Sequence, residues 1–446
     1  MAMEHADASY VVKQAKDHKV KFIRLWFTDV LGFLKSVAIV VDELEDALVD
    51  GVGFDGSSIE GFARVDESDM LAVPIPTSFQ ILPWRPQSDN AVARMFCEVR
   101  QPDGTPYEGD PRFVLQRALK RAHDMGFTFY VGPELEFFYF KEDQPPPKVL
   151  DRGGYFDLTP LDIASDLRRD TIMTLEQVGI DVEYSHHEGA PSQHEIDLRY
   201  ADALTMADSI MTTRLVVKEI AGKHGIYASF MPKPLVAFNG SGMHIHMSLF
   251  RGDSNAFFDP GNPEHLSATG EQFVAGILRH AAEFTLVTNQ WVNSYKRLKP
   301  GFEAPTQIAW AYRNRSHILR VPSIKPGRSE SMRIELRSPD VACNPYLAFA
   351  VLLHAGLEGI ERQYKAIPPT ESSPEQLSAS ARRRKGIKQL PDSLNEAIRL
   401  AEQSELVRRA LGPHIHAKLI ENKRMEWLKF AEHVTDYELD RYLPLL

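Results

Sequence analysis

The chain has 446 residues, of which 43% are hydrophobic and 25% charged, the composition of an ordinary globular protein rather than a disordered or fibrous one. Its formal net charge of −10 gives no overall attraction to nucleic acid or to an anionic membrane surface. The two cysteines, Cys97 and Cys343, are far apart, and neither a signal-peptide pattern nor an apolar run of about 20 residues is present, so we expect a cytoplasmic protein without disulfides, a membrane span or a thiolate metal cluster.

The first quarter of the chain has the pattern of a small sheet-rich domain. Short apolar runs at 20–27, 36–41 and 91–99 are separated by pieces rich in Gly and Pro, as in strands joined by turns. A stretch dense in Pro, Gly, Asp and Glu follows at about 100–112 and indicates a linker. We therefore predict two domains, residues 1–105 and 106–446.

The second domain alternates strand-like and helical segments, and the helical pattern dominates after Asn344. This order predicts a large α+β domain whose sheet carries the polar residues and whose C-terminal part is helical. The strand-like runs are residues 127–140, 181–188, 192–200, 240–250 and 332–339.

Several of these strands carry charged or imidazole groups at alternate positions, which places the groups on one face of the sheet. The groups are Glu134 and Glu136; Glu195 and Asp197, with Glu188 before them; His244, His246 and Ser248; and Arg333, Glu335 and Arg337. A single strand with this pattern is at least as often one whose polar face is exposed to water as one that carries a site. Four such strands together favour a common site. Carboxylates about 4 Å apart repel by roughly 4 kcal/mol at an effective dielectric near 20, and Mg²⁺ or Mn²⁺ would remove that cost.

Basic residues are concentrated between and around the last of these strands. They are Lys296, Arg297 and Lys299, which share a loop-like stretch with Pro300, Gly301 and Glu303, and then Arg313, Arg315, Arg320, Arg333 and Arg337. Arginine-rich runs are more often surface ion-pair partners, but beside a metal-bearing strand they suit phosphate oxygens. The chain has no Walker, Rossmann or kinase signature, so an ATP site would be built in another way.

Seven stretches, in this order and spacing, resemble the signature sequences of type I glutamine synthetase. They are FDGSSIEGF, GPELEFF, HHEGAPSQHE, NGSGMHIHMS, NSYKRLKPGFEAP, NRS followed by RVP, and RIELRSPD followed by NPY. The resemblance implies a small β-grasp-like N-terminal domain, followed by a catalytic domain of the glutamine synthetase and guanidino kinase type with an antiparallel sheet and a helical C-terminal part.

The resemblance also implies roles for individual residues. One metal ion would be held by Glu136, Glu188 and Glu195, and a second by Glu134, His244 and Glu335. The residues that match glutamate contacts are Glu136, Asn239, Gly240, Arg297, Glu303 and Arg337. The residues that match nucleotide contacts are Glu183, Tyr200, His246 and Ser248, with Arg315, Arg320 and Arg333 near the phosphates or the transferred group.

The activity that the resemblance implies is ATP-dependent ligation of ammonia to L-glutamate through γ-glutamyl phosphate, with two or more Mg²⁺ or Mn²⁺ ions. Arg315 would neutralise the transferred group. Asp55 would take a proton from ammonium, reaching in from a neighbouring subunit, and Glu303 would shield the acyl phosphate from water and accept a late proton. Family members form two stacked hexameric rings, so we expect a dodecamer.

The sequence departs from the usual family pattern at three places, and at a fourth it matches the shorter α-type members. Lys388 stands where the adenylylated subclass has its modified tyrosine, so we expect this control to be absent. Arg64 resembles the arginine with which shorter α-type enzymes sense glutamine, and it predicts feedback inhibition. Ser192 replaces a frequent Gly, and Lys299 replaces an apolar residue in the lid loop.

Two alternative functions remain at this point. A γ-glutamyl ligase for a polyamine or another small amine would keep the metal and ATP residues and alter the ammonium pocket, whereas Asp55 is retained here. A non-catalytic regulatory homologue would have lost a metal ligand or the lid acid, but all six ligands and Glu303 are present. A guanidino kinase would lack the full set of metal ligands.

Overall fold

The computed structural model describes residues 8–62, 68–86 and 89–446, and it confirms the α+β class. The strands are β1 (Val20–Thr28), β2 (Leu34–Val40), β3 (Val52–Asp55), β4 (Asp69–Pro74), β5 (Gln80–Ile81), β6 (Ala91–Arg100), β7 (Thr128–Phe140), β8 (Val182–His187), β9 (Gln193–Leu198), β10 (Ala201–Asp202), β11 (Tyr227–Ser229), β12 (Met243–Arg251), β13 (Ser254–Asn255), β14 (Gln307–Ile308), β15 (Trp310–Tyr312), β16 (Leu319–Val321), β17 (Ile334–Leu336) and β18 (Lys388–Gln389). The helices are α1 (Ala8–Asp17), α2 (Leu44–Asp50), α3 (Pro111–Asp124), α4 (Ser165–Gln177), α5 (Ala203–Lys223), α6 (Ala268–Thr288), α7 (Ser294–Arg297), α8 (Pro345–Glu361), α9 (Ala379–Arg384), α10 (Leu394–Glu402), α11 (Glu405–Leu411), α12 (Pro413–Ala431) and α13 (Asp436–Tyr442).

The N-terminal sheet has the strand order β2-β1-β6-β4-β3, with β5 also paired to β6. β1 and β6 are parallel, and their neighbours are antiparallel. Neighbouring residues at the end of β1 point to opposite faces: Phe27 packs into the core of this domain, whereas Trp26 packs into the main core of the chain. This sheet therefore joins the two parts of the molecule through one of its own faces.

The larger sheet has the order β15-β16-β17-β12-β7-β9-β8. Its central strand, β7, runs antiparallel to both β12 and β9. Leu135 and Phe137 on one face of β7 are fully buried in the main core, so that Glu134 and Glu136 lie on the opposite face. The prediction that these two glutamates belong to a central strand is confirmed, because the apolar residues around them bury its other face.

The C-terminal part is mainly helical, as predicted, and it is anchored to both domains. Asn344 caps α8 by accepting hydrogen bonds from the backbone N–H of Tyr346 and Leu347, and its amide donates to the carbonyl oxygen of Asp29 at 3.1 Å. β6 ends at Arg100 and α3 begins at Pro111, so the predicted domain boundary between 105 and 106 lies in the intervening turns and stays a prediction. In the part of the chain that the structure describes, no helix combines the length and the apolar character required to cross a membrane.

Candidate functional site

The strand register brings the predicted polar residues into direct opposition on one face of the larger sheet. Glu134 of β7 lies opposite His244 of β12, and Glu136 lies opposite Glu195 of β9. His246 of β12 lies opposite Glu335 of β17. The four strand motifs therefore form one continuous polar surface, as their alternating pattern predicted.

Glu134 is the centre of this surface. One of its carboxylate oxygens lies 2.6 Å from Nδ1 of His244, and the other lies 2.7 Å from Nε2 of His246. Burial raises the pKa of Glu134, but the hydrogen bonds from the two imidazoles outweigh burial and hold its pKa well below the ordinary value. Glu134 is therefore ionised at neutral pH and available to a cation.

A second group of carboxylates is crowded and poorly compensated. Burial and the charge of Glu136 raise the pKa of Glu188 to about 7, and burial and the charge of Glu134 raise the pKa of Asp197 to about 7. Burial and the neighbouring Asp197 raise the pKa of Glu195 well above its ordinary value. Such a cluster requires either protons or a bound cation, and its oxygen-rich donors suit Mg²⁺ or Mn²⁺.

Among the described residues, three compact sets of metal-ligand atoms lie on this face. They are Glu134, His246 and Glu335; His186, Glu188 and Glu195; and Glu134, Glu195 and Asp197, and within each set the ligand atoms lie within 4.8 Å of one another. These sets share Glu134, Glu188, Glu195 and Glu335 with the ligands implied by the sequence. The remaining two predicted ligands are adjacent, because Nε2 of His244 lies 3.7 Å from a carboxylate oxygen of Glu136. The six-residue ligand set stays a prediction, and the residues fit a pair of divalent ions.

Arginines border the same surface on the β16 and β17 side. Glu335 is fully buried and lies 2.6 Å from Nε of Arg320 and 2.6 Å from Nη1 of Arg337. Arg333 donates to Nδ1 of His246 at 3.2 Å. Arg315 is hydrogen-bonded to Tyr155 on the opposite wall. Positive charge is therefore arranged next to the carboxylates, as a phosphate site requires.

Two cavities open onto this surface and meet at shared residues. The larger has a volume of about 690 Å³ and is lined by the predicted residues Glu136, Glu188, Glu195, Asn239, Gly240, His244, Glu303, Glu335 and Arg337. The smaller has a volume of about 380 Å³ and is lined by the predicted residues Glu183, Tyr200, His246, Ser248 and Arg333. Glu134, Tyr184, Arg315 and Arg320 line both. The residues predicted for glutamate and for the nucleotide are thus separated into two adjoining spaces, although their roles stay predictions.

Arg297 lies behind the cavity wall rather than at its surface. It is 2% exposed, and its guanidinium donates to the carbonyl oxygens of Ser338, Pro339 and Arg337 at 2.8, 3.1 and 3.2 Å. In this arrangement it fixes the backbone that carries Arg337. A direct contact between Arg297 and glutamate stays a prediction.

Two further predicted residues belong to the N-terminal domain. Asp55 ends β3, and its carboxylate accepts hydrogen bonds from the backbone and hydroxyl of Ser57 at 2.9 and 2.8 Å. It is not among the described residues that line either cavity, so the expectation that it acts in a neighbouring subunit stays a prediction. Arg64 lies outside the described residues.

Some cavity residues were not identified from the sequence. Tyr155 and Phe156 come from an irregular segment, and their rings lie 5.3 and 4.7 Å from the ring of His186. His186 itself was visible only as the first residue of the HHE motif. Aromatic residues next to paired glycines in an exposed stretch, as in RGGYFD, are the signal that could have indicated them.

Comparisons with known proteins agree with this geometry. The family model described as "Glutamine synthetase, beta-Grasp domain" matches residues 19–102, and the one described as "Glutamine synthetase, catalytic domain" matches residues 108–442. The glutamine synthetase of Mycolicibacterium smegmatis is 55% identical over 440 residues, covering 98% of this chain and 99% of that protein. That of Methanosarcina mazei is 51% identical over 439 residues, covering 98% and 97%.

The fold is shared with solved structures as well. A structure described as the GmaS/ADP complex in conformation 1 has a TM-score of 0.87 at 31% identity, and the alignment covers 98% of this chain and 100% of that chain. The apo GmaS structure without ligand has a TM-score of 0.86, also at 31% identity, and covers 97% and 99%. With both family models and whole-length relatives in agreement, the chain belongs to the glutamine synthetase family.

Proposed function

We propose that this chain ligates ammonia to L-glutamate at the expense of ATP, giving L-glutamine, ADP and phosphate. The observation that carries the proposal is the junction of the two cavities, where Glu134, Arg315 and Arg320 face both spaces. A γ-phosphate from one side and a γ-carboxylate from the other can meet there. The whole-length relatives named glutamine synthetase support the same activity.

The smaller cavity suits ATP. Tyr200 offers an aromatic face that is about half exposed, and Arg333 offers a guanidinium for phosphate oxygens. Glu183, His246 and Ser248 supply further polar contacts along its wall. A solved relative of this fold is described as a complex with ADP, which supports a nucleotide in this space.

The larger cavity suits glutamate. Arg337 is fixed by its ion pair with Glu335 and by the hydrogen bond from Arg297 to its backbone carbonyl oxygen. The other N–H groups of its guanidinium can therefore donate to a carboxylate of the substrate. Asn239 and Gly240 line the same wall. Glu303 lies in the loop that borders this cavity, where it can shield the reacting carbon from water.

Divalent ions belong at the meeting point of these groups. Glu136, Glu188 and Glu195 would hold one Mg²⁺ or Mn²⁺ ion, and Glu134, His244 and Glu335 a second. When bound, the ions neutralise the negative charge of the phosphates and of the crowded carboxylates.

The reaction then takes place in two steps, and residues of this chain assist each of them. A γ-carboxylate oxygen of glutamate attacks the γ-phosphorus, the bond to the bridging oxygen breaks, and ADP departs with that electron pair. Arg315 and Arg320 offset the charge that develops on the transferred phosphoryl group. Ammonia then attacks the acyl carbon of γ-glutamyl phosphate, and phosphate leaves. Asp55 of a neighbouring copy would take the proton from ammonium, and Glu303 a later one.

The finer classification is also part of the proposal. We assign the chain to the type I, α-type-like enzymes, with a dodecameric assembly in the cytoplasm. Lys388 lies exposed in β18 and has no hydroxyl group, so it cannot accept an adenylyl group as a tyrosine does. Regulation would instead act through glutamine at Arg64.

Phosphate release from ATP tests the reaction. Purified protein with Mg²⁺ and L-glutamate is assayed with ammonium, methylamine, ethanolamine and putrescine, and Glu303→Ala serves as the variant that should lose activity. Release with ammonium alone supports the proposal. Release only with a larger amine would make the enzyme a γ-glutamyl-amine ligase, and no release with any amine would refute the proposed activity.

A further inference from the structure

A buried polar cluster lies directly behind the turn 188–192, which joins β8 to β9 and carries Glu188. The cluster consists of Asp151, His187 and Ser192, all of them buried. None of these residues has a part in the reaction above. Asp151 belongs to the irregular segment that follows β7, His187 ends β8, and Ser192 is the last residue of the turn.

A single oxygen of Asp151 contacts the residue just before the turn, His187, and the last residue of the turn, Ser192. Oδ1 of Asp151 accepts a hydrogen bond from the backbone N–H of Ser192 at 2.8 Å, and it lies 3.1 Å from Nε2 of His187. The same oxygen accepts from the backbone N–H of Gly153 at 3.3 Å. The other oxygen, Oδ2, is buried without a hydrogen-bond partner among the described residues. The contacts of Asp151 therefore depend on one acceptor atom.

His187 connects Asp151 to the backbone of Glu188. Its Nδ1 lies 2.7 Å from the carbonyl oxygen of Glu188, while Nε2 faces Asp151. A ring that faces an acceptor at each nitrogen donates from both, so His187 links the carboxylate of Asp151 to the backbone of Glu188. The side chain of His187 is fully buried, which leaves it little freedom to adopt another orientation.

Ser192 holds the other end of the turn in an unusual backbone conformation. Its φ is +65°, in the left-handed region that favours glycine. The hydroxyl oxygen compensates by accepting hydrogen bonds from the backbone N–H of Leu150 at 2.5 Å and of Asp151 at 3.2 Å. Serine thus fastens the turn to the segment behind it, which a glycine could not do.

The cluster is not itself suited to a metal ion. Asp151, His187 and His194 lie within ligand distance of one another, with ligand atoms within 4.8 Å. However, Nδ1 of His194 accepts from Arg168 at 2.8 Å, so a neutral His194 carries its proton on Nε2 and has no free lone pair to offer. The nearby guanidinium, which is paired with Asp162, adds positive charge. The cluster is therefore better suited to hold the turn than to bind a cation.

We propose that Asp151 is a positioning residue for the carboxylate of Glu188, because it ties His187 and Ser192, on either side of that carboxylate, to one rigid point. The proposal rests on the proposed role of Glu188 as a metal ligand. Hydrogen-bonded partners behind metal ligands typically contribute 10- to 100-fold in metal affinity. Asp151 acts here through the backbone of the turn rather than through a direct bond to the ligand.

Direct Mn²⁺ binding tests this role without reference to turnover. Free Mn²⁺ is measured by electron paramagnetic resonance during titration of the full-length protein, its Asp151→Ala variant and its Asp151→Asn variant. We expect Asp151→Ala to raise the Kd of one class of Mn²⁺ site by about tenfold. Asp151→Asn should raise it by less than about threefold, because the amide oxygen can replace Oδ1 while the nitrogen takes the place of the unpartnered Oδ2. In turnover assays, saturating Mn²⁺ should restore the kcat of Asp151→Ala.

Further variants separate positioning from loss of folding. Asp110→Ala is the matched control, because Asp110 is also buried and accepts backbone hydrogen bonds, from Val99 and Arg112, at the start of α3. It should lower the melting temperature and leave Mn²⁺ affinity unchanged. Ser192→Gly keeps the left-handed backbone and removes only the hydroxyl that accepts from the N–H groups of Leu150 and Asp151, so it tests this second link between the turn and Asp151 if Asp151→Ala does not fold.

The outcomes distinguish this proposal from the proposed function. Glu188→Gln should weaken the same Mn²⁺ site; if it does not, the assigned metal role is wrong and the positioning role falls with it. If Glu188→Gln weakens binding but Asp151→Ala and Ser192→Gly do not, only the positioning role is refuted. If Asp151→Asn weakens binding as much as Asp151→Ala, the effect comes from the lost charge, and positioning is again refuted.

Discussion

Glu188→Gln is expected to stabilise the metal-free protein above pH 7, although it removes a proposed metal ligand. Burial and the charge of Glu136 raise the pKa of Glu188 to about 7, whereas a glutamate in the unfolded chain ionises near 4.5. The folded state therefore binds more protons than the unfolded state between these two values. The free energy of unfolding consequently falls as the pH rises from about 4.5 to 7, and the loss is complete above pH 7.

The size of this effect follows from the two pKa values. At about 1.4 kcal/mol for each tenfold change in the proton equilibrium, the ionised Glu188 costs the folded protein about 3 kcal/mol at pH 8. The cost is small at pH 5, where Glu188 keeps its proton in the fold. Glutamine has nearly the same shape and no charge, so the variant should recover most of this free energy at pH 8 and little at pH 5.

Thermal unfolding in the presence of a chelator measures the difference. Wild type, Glu188→Gln and the control Glu176→Gln are compared at pH 5 and pH 8; Glu176 is exposed on α4, so the control removes the same charge away from the site. The advantage of Glu188→Gln should appear at pH 8 alone, and saturating Mg²⁺ should reverse the order because only the intact ligand set gains the full binding free energy. A metal-free Glu188→Gln protein that unfolds at or below the wild-type temperature at pH 8 would refute the reasoning.

Substitutions at three further positions address the nucleotide, the glutamate wall and regulation. Tyr200→Ala should raise the KM for ATP about tenfold, the size of one lost stacking contact, whereas Tyr200→Phe should change it little; steady-state kinetics measures both. Arg297→Lys should lower kcat/KM for glutamate by about tenfold or more, because lysine cannot reproduce a fork that donates to three carbonyl oxygens; an unchanged kcat/KM would show that the backbone of Arg337 does not depend on it. Arg64→Ala should raise the glutamine concentration for half-inhibition by about tenfold, as for one lost charge-assisted hydrogen bond, and unaltered glutamine sensitivity would rule out this residue as the sensor.

The sequence was most informative where chemistry and strand periodicity coincide. Glu134 and Glu136 are two residues apart in an apolar run, so their shared face and their central strand could both be predicted. Periodicity does not give the register between strands, however. The resemblance assigned His244 to a metal ion and His246 to the nucleotide, but it gave no contact of either imidazole with Glu134; the structure shows these contacts at 2.6 and 2.7 Å.

The burial of individual side chains, and the positions of residues outside helices and strands, were harder to predict. Arg297 belongs to a basic stretch with loop-like composition, and nothing in that pattern indicates that its guanidinium is buried against backbone carbonyls. Tyr155 and Phe156 lie in a segment without helix or strand, where no periodicity shows which side chains face the cavity. These positions are determined by long-range packing, which local patterns do not encode.

The distribution of charge across the site gives the two proposed metal positions different properties. On the β17 side, Glu335 is paired with Arg320 and Arg337, so most of its charge is already compensated in the absence of a cation. On the β9 side, burial and carboxylate repulsion raise the pKa of both Glu188 and Glu195. A divalent ion relieves far more repulsion on the second side than on the first. The larger share of the metal-dependent stabilisation above pH 7 should therefore arise at the turn 188–192. There the carboxylate of Asp151, through its hydrogen bonds to the turn, would position Glu188 for the ion.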